Sequence, residues 1–293
     1  MVNVNINIAF CFDERVFEYA AVAIASLLKN RGEFHYDIYL VVPDEVWEEK
    51  RSRLRRMANE LDSESRIVFL PPPDVSDITP KKMHIYFRNA AYWRIKLCEV
   101  LPKELKYIIY VDFDILFLKP LDELANVDFG DKWIAVVVGE CTKQHERNWE
   151  KYLGRINQAG EEFNSGLMVI NLAEWRKQEV CKKFVELKEM DFDCPDQTRL
   201  NMVCFGHSVH LNPLKYNVWG GLKNVNLKKR CSMLHFSGGD QTKPWTGLDM
   251  FNECKLLWWE YARSTPFYEK LEDELNSYSQ PGCHLNLAAT SSL

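Results

Sequence analysis

Two aspartates separated by a single residue are the strongest chemical signal in this sequence. Asp112 and Asp114 follow the apolar run 107–111, and residues 115–118 are apolar again. Because side chains alternate along a strand, residues i and i+2 point the same way, so both carboxylates can face one ion. Paired carboxylates suit a hard divalent cation. A bare Asp-x-Asp also occurs in solvated turns, but a chain that returns to the core here favours a cleft.

His235 differs from the other histidines in its sequence context. It follows an apolar, strand-like segment and precedes the glycine pair 238–239, whereas we interpret His84, His207 and His210 as ordinary surface or core residues. Manganese accepts carboxylate, imidazole and phosphate oxygens together, while magnesium tends to keep its waters. If a histidine joins the two aspartates as a ligand, the set favours Mn²⁺, with Mg²⁺ as the alternative.

Composition limits the class of protein. The chain has 293 residues, is 46% hydrophobic and carries a formal net charge of -5, which allows a large core and argues against a nucleic-acid partner. Nine scattered cysteines without a C-x-x-C pair argue against a disulfide framework or a zinc ribbon. No stretch approaches the roughly 20 apolar residues of a membrane helix. We therefore expect a cytoplasmic protein, with peripheral contact at the inner face of the membrane left open.

Alternating strands and helices must position these residues. The pattern predicts strands at 7–12, 36–42, 66–70, 107–111, 133–138 and 167–171, and helices at 17–30, 44–61 (capped by Asp44), 89–100 and 173–190. This order is typical of an α/β fold with a mostly parallel, doubly wound sheet. Beyond Pro213 the pattern is less regular, apart from an aromatic helix near 256–262. We expect a catalytic domain at 1–250 and a C-terminal helical tail at 251–293.

The chain resembles family 8 glycosyltransferases of the Rossmann-like GT-A fold, particularly bacterial lipooligosaccharide galactosyl- and glucosyltransferases. The resemblance runs from about residue 6 to residue 245. It rests on blocks in the family's order, namely Asp13 after the first strand, YWRIKL, the Asp-x-Asp, FNSGLMVINLAEWR, PDQTRLN and LHFSGGDQTKPW. Any one block is weak evidence, whereas the ordered set is specific.

The resemblance implies roles for individual residues. It makes Asp112, Asp114 and His235 the metal ligands, and it places Asp196 and Gln197 at the catalytic centre. Residues that would bind the UDP-sugar, including one metal ligand, are Asp13, Arg94, Asp112, Asn164, Gly166, Gly238 and Lys243.

The resemblance also implies a reaction. The expected enzyme is a hexosyltransferase that moves galactose or glucose from a UDP-sugar, with retention of configuration. Its acceptor would be an oligosaccharide or glycolipid, such as a lipopolysaccharide, a capsule or a glycoprotein glycan. Front-face substitution is the preferred mechanism, with double displacement through Asp196 as the alternative.

Other interpretations remain open at this stage. One is a self-glucosylating primer similar to glycogenin, for which Tyr278 is the candidate acceptor, and another is a nucleotide-sugar-binding protein without turnover. Trp258, Trp259 and Tyr261 could contact a membrane, although such aromatic residues are more often packed core. The basic runs 50–56 and 223–230 could meet an anionic surface, although solvated faces are the default.

Overall fold

Two sheets organise the protein. The computed structural model describes residues 5–79, 89–139, 150, 162–187, 195–220, 231–246 and 252–278. In chain order the strands are β1 (Ile6–Cys11), β2 (Tyr36–Val41), β3 (Arg66–Leu70), β4 (Tyr107–Val111), β5 (Ile115–Phe117), β6 (Ile134–Val138), β7 (Phe163–Asn171), β8 (Ser208–His210), β9 (Val218–Trp219) and β10 (Met233–His235). The large sheet has the order β3-β2-β1-β4-β7-β6-β8, and the small sheet has the order β5-β10-β9.

The large sheet is parallel except for one strand. β7 runs antiparallel to both of its neighbours, β4 and β6, while the other pairs are parallel. The predicted α/β class with a mostly parallel sheet is therefore confirmed. The reversed β7 matters for function, because its first residues lie at the carboxyl end of β4, where Asp112 N–H donates to the Gly166 carbonyl at 2.9 Å.

Helices cover both faces of the large sheet. They are α1 (Phe17–Lys29), α2 (Glu48–Leu61), α3 (Asn89–Trp93), α4 (Leu97–Val100), α5 (Asp122–Ala125), α6 (Leu172–Lys177), α7 (Val180–Glu186), α8 (Pro195–Val203), α9 (Glu253–Ala262) and α10 (Tyr268–Tyr278). One core packs α1, α2 and α5 on one face, and the second packs α3, α4, α6, α7 and α8 on the other. Alternate side chains of β1 enter the two cores, as period-two patterning requires.

Three helix predictions need correction. Segment 89–100 is not one helix, because a 3₁₀ turn at Arg94–Lys96 separates α3 from α4. Segment 173–190 is broken where Glu179 adopts a left-handed conformation with φ 51°, and residues 188–190 lie outside the described part. Asp44 does not cap α2, since the helix begins at Glu48 after a turn in which Val46 N–H donates to the Pro43 carbonyl.

A third core joins the small sheet to the C-terminal helices. Trp258 and Trp259 of α9 are fully buried, so these aromatic residues are packed core. The Tyr19 ring of α1 stacks on Trp245 at 4.0 Å between centroids, and Trp258 packs behind Trp245 at 5.4 Å. The division of the chain at residue 250 remains a prediction, because residues 247–251 lie outside the described part.

The first basic run makes mostly intramolecular contacts. Lys50 bridges Glu14 and Glu18 at 3.1 Å each, and the guanidinium groups of Arg51 and Arg55 lie over the Phe69 ring. The second run lies at residues 223–230, outside the described residues. Among the described helices, none is long and apolar enough to cross a membrane.

A buried carboxylate ties three helices together. Glu18 of α1 is 3% exposed and accepts from Lys270 of α10 at 2.7 Å and from Lys50 of α2 at 3.1 Å. Burial opposes ionisation of Glu18, but the hydrogen bonds from Lys270 and Lys50 outweigh it and lower the pKa of Glu18 below its ordinary value. A lowered carboxyl pKa stabilises the fold above the unfolded-state pKa, and this contribution is lost as the pH falls through the folded-state value.

Glu18→Gln should therefore lower the free energy of unfolding at pH 7 by about 2 kcal/mol, the scale of a hydrogen bond to a charged group. The difference from the wild type should shrink as the pH falls below the ordinary pKa of a glutamate and through the lowered pKa of Glu18 in the folded protein, where the wild-type carboxylate loses its charge. Urea unfolding across this pH range measures both effects.

Glu49→Gln is the control variant. It removes a surface carboxylate 4.0 Å from Arg53 and should lower the free energy of unfolding by less than about 0.5 kcal/mol. Equal losses in the two variants would contradict the assignment.

Candidate active site

Asp112 and Asp114 occupy the turn between β4 and β5. The turn is held on both sides, because Asp112 N–H donates to the Gly166 carbonyl and Phe236 N–H donates to the Asp114 carbonyl, each at 2.9 Å. The pair therefore lies just beyond β4, as predicted, although on a turn rather than along a continuing strand. Phe113, between them, is only partly buried and lines the adjoining cavity.

Asp112 is oriented by two buried donors. The Tyr110 hydroxyl donates to Asp112 Oδ1 at 2.5 Å, and Arg94 Nη1 donates to the same oxygen at 3.1 Å. Burial raises the pKa of Tyr110 well above its usual value, so the phenol stays protonated as a donor. The second oxygen, Oδ2, is left to face His235.

Arg94 links two carboxylates that are distant in sequence. Its Nη1 binds Asp112, its Nη2 lies 3.3 Å from Asp196 Oδ2, and its Nε donates to the Ala91 carbonyl at 2.7 Å. The side chain is 8% exposed. Burial disfavours the charge, but the carboxylates of Asp112 and Asp196 outweigh it and raise the pKa of Arg94, so the guanidinium is a fixed positive charge. The 3₁₀ turn that interrupts the predicted helix carries this residue.

Asp114 is the more deeply buried carboxylate of the pair. His235 Nε2 lies 3.1 Å from Asp114 Oδ1, Lys243 Nζ donates to Oδ2, and the same ammonium donates to the Phe236 carbonyl at 2.7 Å. Burial would raise the pKa of Asp114, but Lys243 and His235 reverse the effect and hold it well below the usual range. Asp114 is therefore an anion whose charge is balanced by its neighbours.

Gly166 leaves space for the side chains of Asp112 and His235. A Cβ built at residue 166 would lie 2.3 Å from His235 Cε1 and 2.9 Å from both Asp112 Oδ2 and Asn164 Oδ1. Real Cβ contacts are not this short, so a side chain at this position would displace the histidine or the aspartate. The sequence analysis assigned Gly166 to UDP-sugar binding. The structure shows that this position has no room for a side chain.

A network of amides lies beside the cluster. Gln197 Oε1 accepts from Ser165 N–H at 3.0 Å and from Asn164 Nδ2 at 3.1 Å. Asn164 Oδ1 accepts from Gly166 N–H at 3.0 Å and from Asn217 Nδ2 at 3.1 Å. Because the Gln197 carbonyl is engaged, its amide N–H₂ group is the part that remains for a polar ligand.

A cavity of about 480 Å³ opens next to both aspartates. That size lies within the range of small-molecule sites. Its wall includes Asp13, whose Oδ1 accepts from Arg15 Nε at 2.9 Å and whose Oδ2 accepts from Arg15 Nη2. Tyr19 and Trp245 also line this cavity, together with Lys243. Gly238 precedes Lys243 with φ 104°, a conformation that favours glycine.

Asp112, Asp114 and His235 can hold a metal ion. One ligand atom from each lies within 4.8 Å of the others, and this is the group of that kind found among the described residues. His235 and Asp114 are buried and Asp112 is partly buried. Two carboxylates and an imidazole suit a divalent first-row metal. The donor set therefore fits the predicted site.

The structure brings the predicted residues to one edge of the sheet. The metal candidates adjoin the 164–166 segment and Lys243, and Arg94 connects Asp112 to Asp196. Sequence reasoning missed Tyr110, Ser165 and Asn217. Tyr110 could have been found, since it is two residues before Asp112 and alternation places it on the same side. Asn217 carries no motif, and only its contacts reveal it.

The architecture is shared with solved glycosyltransferases. The WbbM bifunctional glycosyltransferase superposes with a TM-score of 0.74 at 18% identity, covering 94% of this chain and 52% of that one. The galactosyltransferase LgtC, solved in complex with donor and acceptor sugar analogues, gives 0.71 at 20% identity, covering 92% and 100%. The protein therefore has the GT-A fold, as predicted.

The sequence establishes the family. Residues 7–249 match the pattern of glycosyl transferase family 8, and the chain belongs to that family. The prediction of a glycosyltransferase enzyme is thereby confirmed. A lipopolysaccharide 1,2-glucosyltransferase of Escherichia coli is 26% identical over 82% of this chain and 73% of its own length. General stress protein A of Bacillus subtilis (strain 168) is 28% identical over 82% and 87%.

Gly166→Ala should weaken Mn²⁺ binding in the presence of UDP by about tenfold or more, because the new Cβ overlaps the place of the His235 ring. The fold should be retained, since residue 166 has no left-handed backbone conformation. Calorimetry gives the affinity and circular dichroism the fold.

Gly139→Ala is the matched control. Its Cβ would meet no atom within 4 Å, so it should leave binding unchanged. Wild-type Mn²⁺ affinity in Gly166→Ala would contradict the steric argument.

Proposed function

We propose that the protein transfers a hexose from a UDP-sugar to a sugar hydroxyl of a surface glycan, with Mn²⁺ bound by Asp112, Asp114 and His235. The observation that carries the proposal is the convergence of these three ligands beside the 480 Å³ cavity. Membership of glycosyl transferase family 8 supports glycosyl transfer. The glucosyl- and galactosyltransferase names of relatives support a hexose, and their lipopolysaccharide substrates support a surface glycan acceptor.

Cations and backbone donors of the chain would bind the donor. Lys243 is near enough to Asp114 to face a diphosphate that shares the metal, and a lysine offers a mobile positive charge for phosphate. Gly238 lets the backbone come close. Asp13 and Arg15 form the polar wall at the end of β1, where the uracil base is expected. A bound divalent ion supplies Lewis-acid stabilisation of the departing diphosphate.

The amide network would orient the transferred hexose. The backbone N–H of residue 166 fixes Asn164, and that of residue 165 fixes Gln197. Both side chains are therefore in position before the donor binds. Donors and acceptors held in place give strong discrimination between hydroxyl configurations, because an unmatched buried polar group is costly. Glucose and galactose differ in this respect at a single carbon.

Front-face substitution suits this site better than double displacement. A nucleophilic carboxylate must be free to attack the anomeric carbon, but Asp196 is buried and faces the Arg94 guanidinium at 3.3 Å. Gln197 is an amide with an engaged carbonyl. In a front-face reaction the acceptor oxygen forms its bond on the side from which UDP departs, and its proton passes to a diphosphate oxygen. Asp196 then acts by holding Arg94 in place.

The self-glucosylating primer remains an untested alternative. Tyr278, the proposed acceptor of a self-glucosylating primer, is the last residue of α10, and its side chain lies outside the described part. The cytoplasmic location and the peripheral membrane contact remain predictions.

Asp112→Asn and Asp114→Asn should each abolish transfer, an effect of several kcal/mol in the transition state, because the loss of one carboxylate uncovers diphosphate charge. Screening UDP-glucose and UDP-galactose for Mn²⁺-dependent hydrolysis or transfer measures turnover. UDP should bind weakly after EDTA treatment, with affinity restored by Mn²⁺ more than by Ca²⁺. Asp128→Asn, an exposed turn residue, should behave as the wild type. Near-normal turnover in either cluster variant would reject the metal site.

An α-linked product is expected from an α-linked UDP-hexose. Inversion would need a carboxylate base on the face opposite the leaving group. Asp112 and Asp114 are assigned to the metal and Asp196 pairs with Arg94, so we assign the role of base to a diphosphate oxygen, which permits same-face attack. Proton NMR of the first-formed product reads the anomeric coupling. A β-linked product would contradict the mechanism.

A further inference from the structure

Asn217 has an unusual backbone conformation next to the metal candidates. It precedes β9 with φ 55°, and among the described residues it shares a positive φ outside glycine only with Glu179. Asparagine tolerates the left-handed region better than most residues, but the conformation still carries a cost. Such conformations persist where surrounding contacts hold them, and they concentrate at functional sites.

The backbone N–H of Gly166 fixes the orientation of the side-chain amides of Asn164 and Asn217. The N–H of Gly166 can only donate, so the atom 3.0 Å away must be the carbonyl oxygen of Asn164. The Asn217 atom that lies 3.1 Å from this oxygen must then be the amide nitrogen. It follows that the carbonyl oxygen of Asn217 is the atom 2.7 Å from His235 Nδ1.

This chain of bonds assigns the histidine tautomer. Because Asn217 presents an acceptor, His235 Nδ1 must carry a hydrogen and donate it. The lone pair of the neutral ring is then on Nε2, which lies 3.1 Å from Asp114 Oδ1 and 3.9 Å from Asp112 Oδ2. The ring nitrogen and the two carboxylate oxygens are all acceptors, so they need a cation between them, either a proton or a metal ion. The Gly166 N–H thus sets the ring for ligation through two intervening amides.

The same amides reach the catalytic candidates. Asn164 uses its oxygen for Gly166 and Asn217 and its nitrogen for Gln197. Asn217 is therefore bonded both to a metal candidate and to the residue that holds Gln197. A displaced Asn217 would disturb the metal ligand and the hexose-orienting amide together.

We propose that Asn217 is a positioning residue that fixes the tautomer and ring orientation of His235 for a divalent cation. The inference rests on the metal site of the proposed function and deepens it. A partner of this kind on the second nitrogen of a ligating histidine is commonly worth ten- to a hundredfold in metal affinity.

Substitution by glycine separates this role from a backbone role. Asn217→Gly keeps the positive φ at no steric cost but removes the amide, so Mn²⁺ affinity in the presence of UDP should fall about ten- to a hundredfold while the melting temperature stays near the wild-type value. Electron paramagnetic resonance of free Mn²⁺ gives the affinity. Glu179→Gly makes the same backbone change at an exposed site and should leave the affinity unchanged.

Asn217→Asp provides the rescue. One carboxylate oxygen accepts from His235 Nδ1 as the amide oxygen does, but the other faces the acceptor Asn164 Oδ1 and loses the hydrogen bond that the amide makes there. Mn²⁺ affinity should therefore lie clearly above that of Asn217→Gly without exceeding that of the wild type. Wild-type affinity in Asn217→Gly, or an equal loss in the glycine and aspartate variants, would overturn the proposal. If the wild-type protein itself binds no Mn²⁺ with UDP, the proposed function fails instead, so the two failures are distinct.

Discussion

The pairing of buried negative charge with positioned donors is the constraint on which the active-site edge depends. Asp114 is 5% exposed, and isolated carboxylates are costly to bury. Lys243 and His235 offset that cost at Asp114, and Arg94 and Tyr110 donate to the partly buried Asp112. Removing one partner leaves an uncompensated charge, so these donors have a structural reason to be present even before a substrate binds.

The topology follows from the same need. All strands of a parallel sheet end at the same edge, and Asp13 and the Asp-x-Asp turn follow two of these ends. No parallel strand begins at that edge. The antiparallel β7 begins at this edge, so Gly166 bonds Asp112 directly, with Asn164 two residues before it in the chain. The antiparallel pairing of β5 with β10 then returns His235 opposite Ile115, one residue beyond Asp114. One reversed strand in each sheet therefore completes the site.

The sequence predicted the fold class and the grouping of Asp112, Asp114 and His235, because strand alternation and ordered motifs are local signals. It did not predict the partners of these residues. The 3₁₀ turn carries Arg94, whose ion pairs with Asp112 and Asp196 join residues that are distant in sequence. The helix break at Glu179 has no glycine or proline to announce it. Asn217 was invisible for a similar reason, since its conformation is set by contacts with β7 and β10 that no spacing encodes.

The aromatic stack behind the 480 Å³ cavity has a consequence for how the chain can be shortened. Trp245 and Tyr19 line the cavity, Trp258 of α9 supports them, and the Tyr19 hydroxyl donates to Glu274 of α10 at 3.0 Å. The two last described helices are therefore the outer support of the cavity wall. A truncation before residue 253 would therefore expose that wall to water.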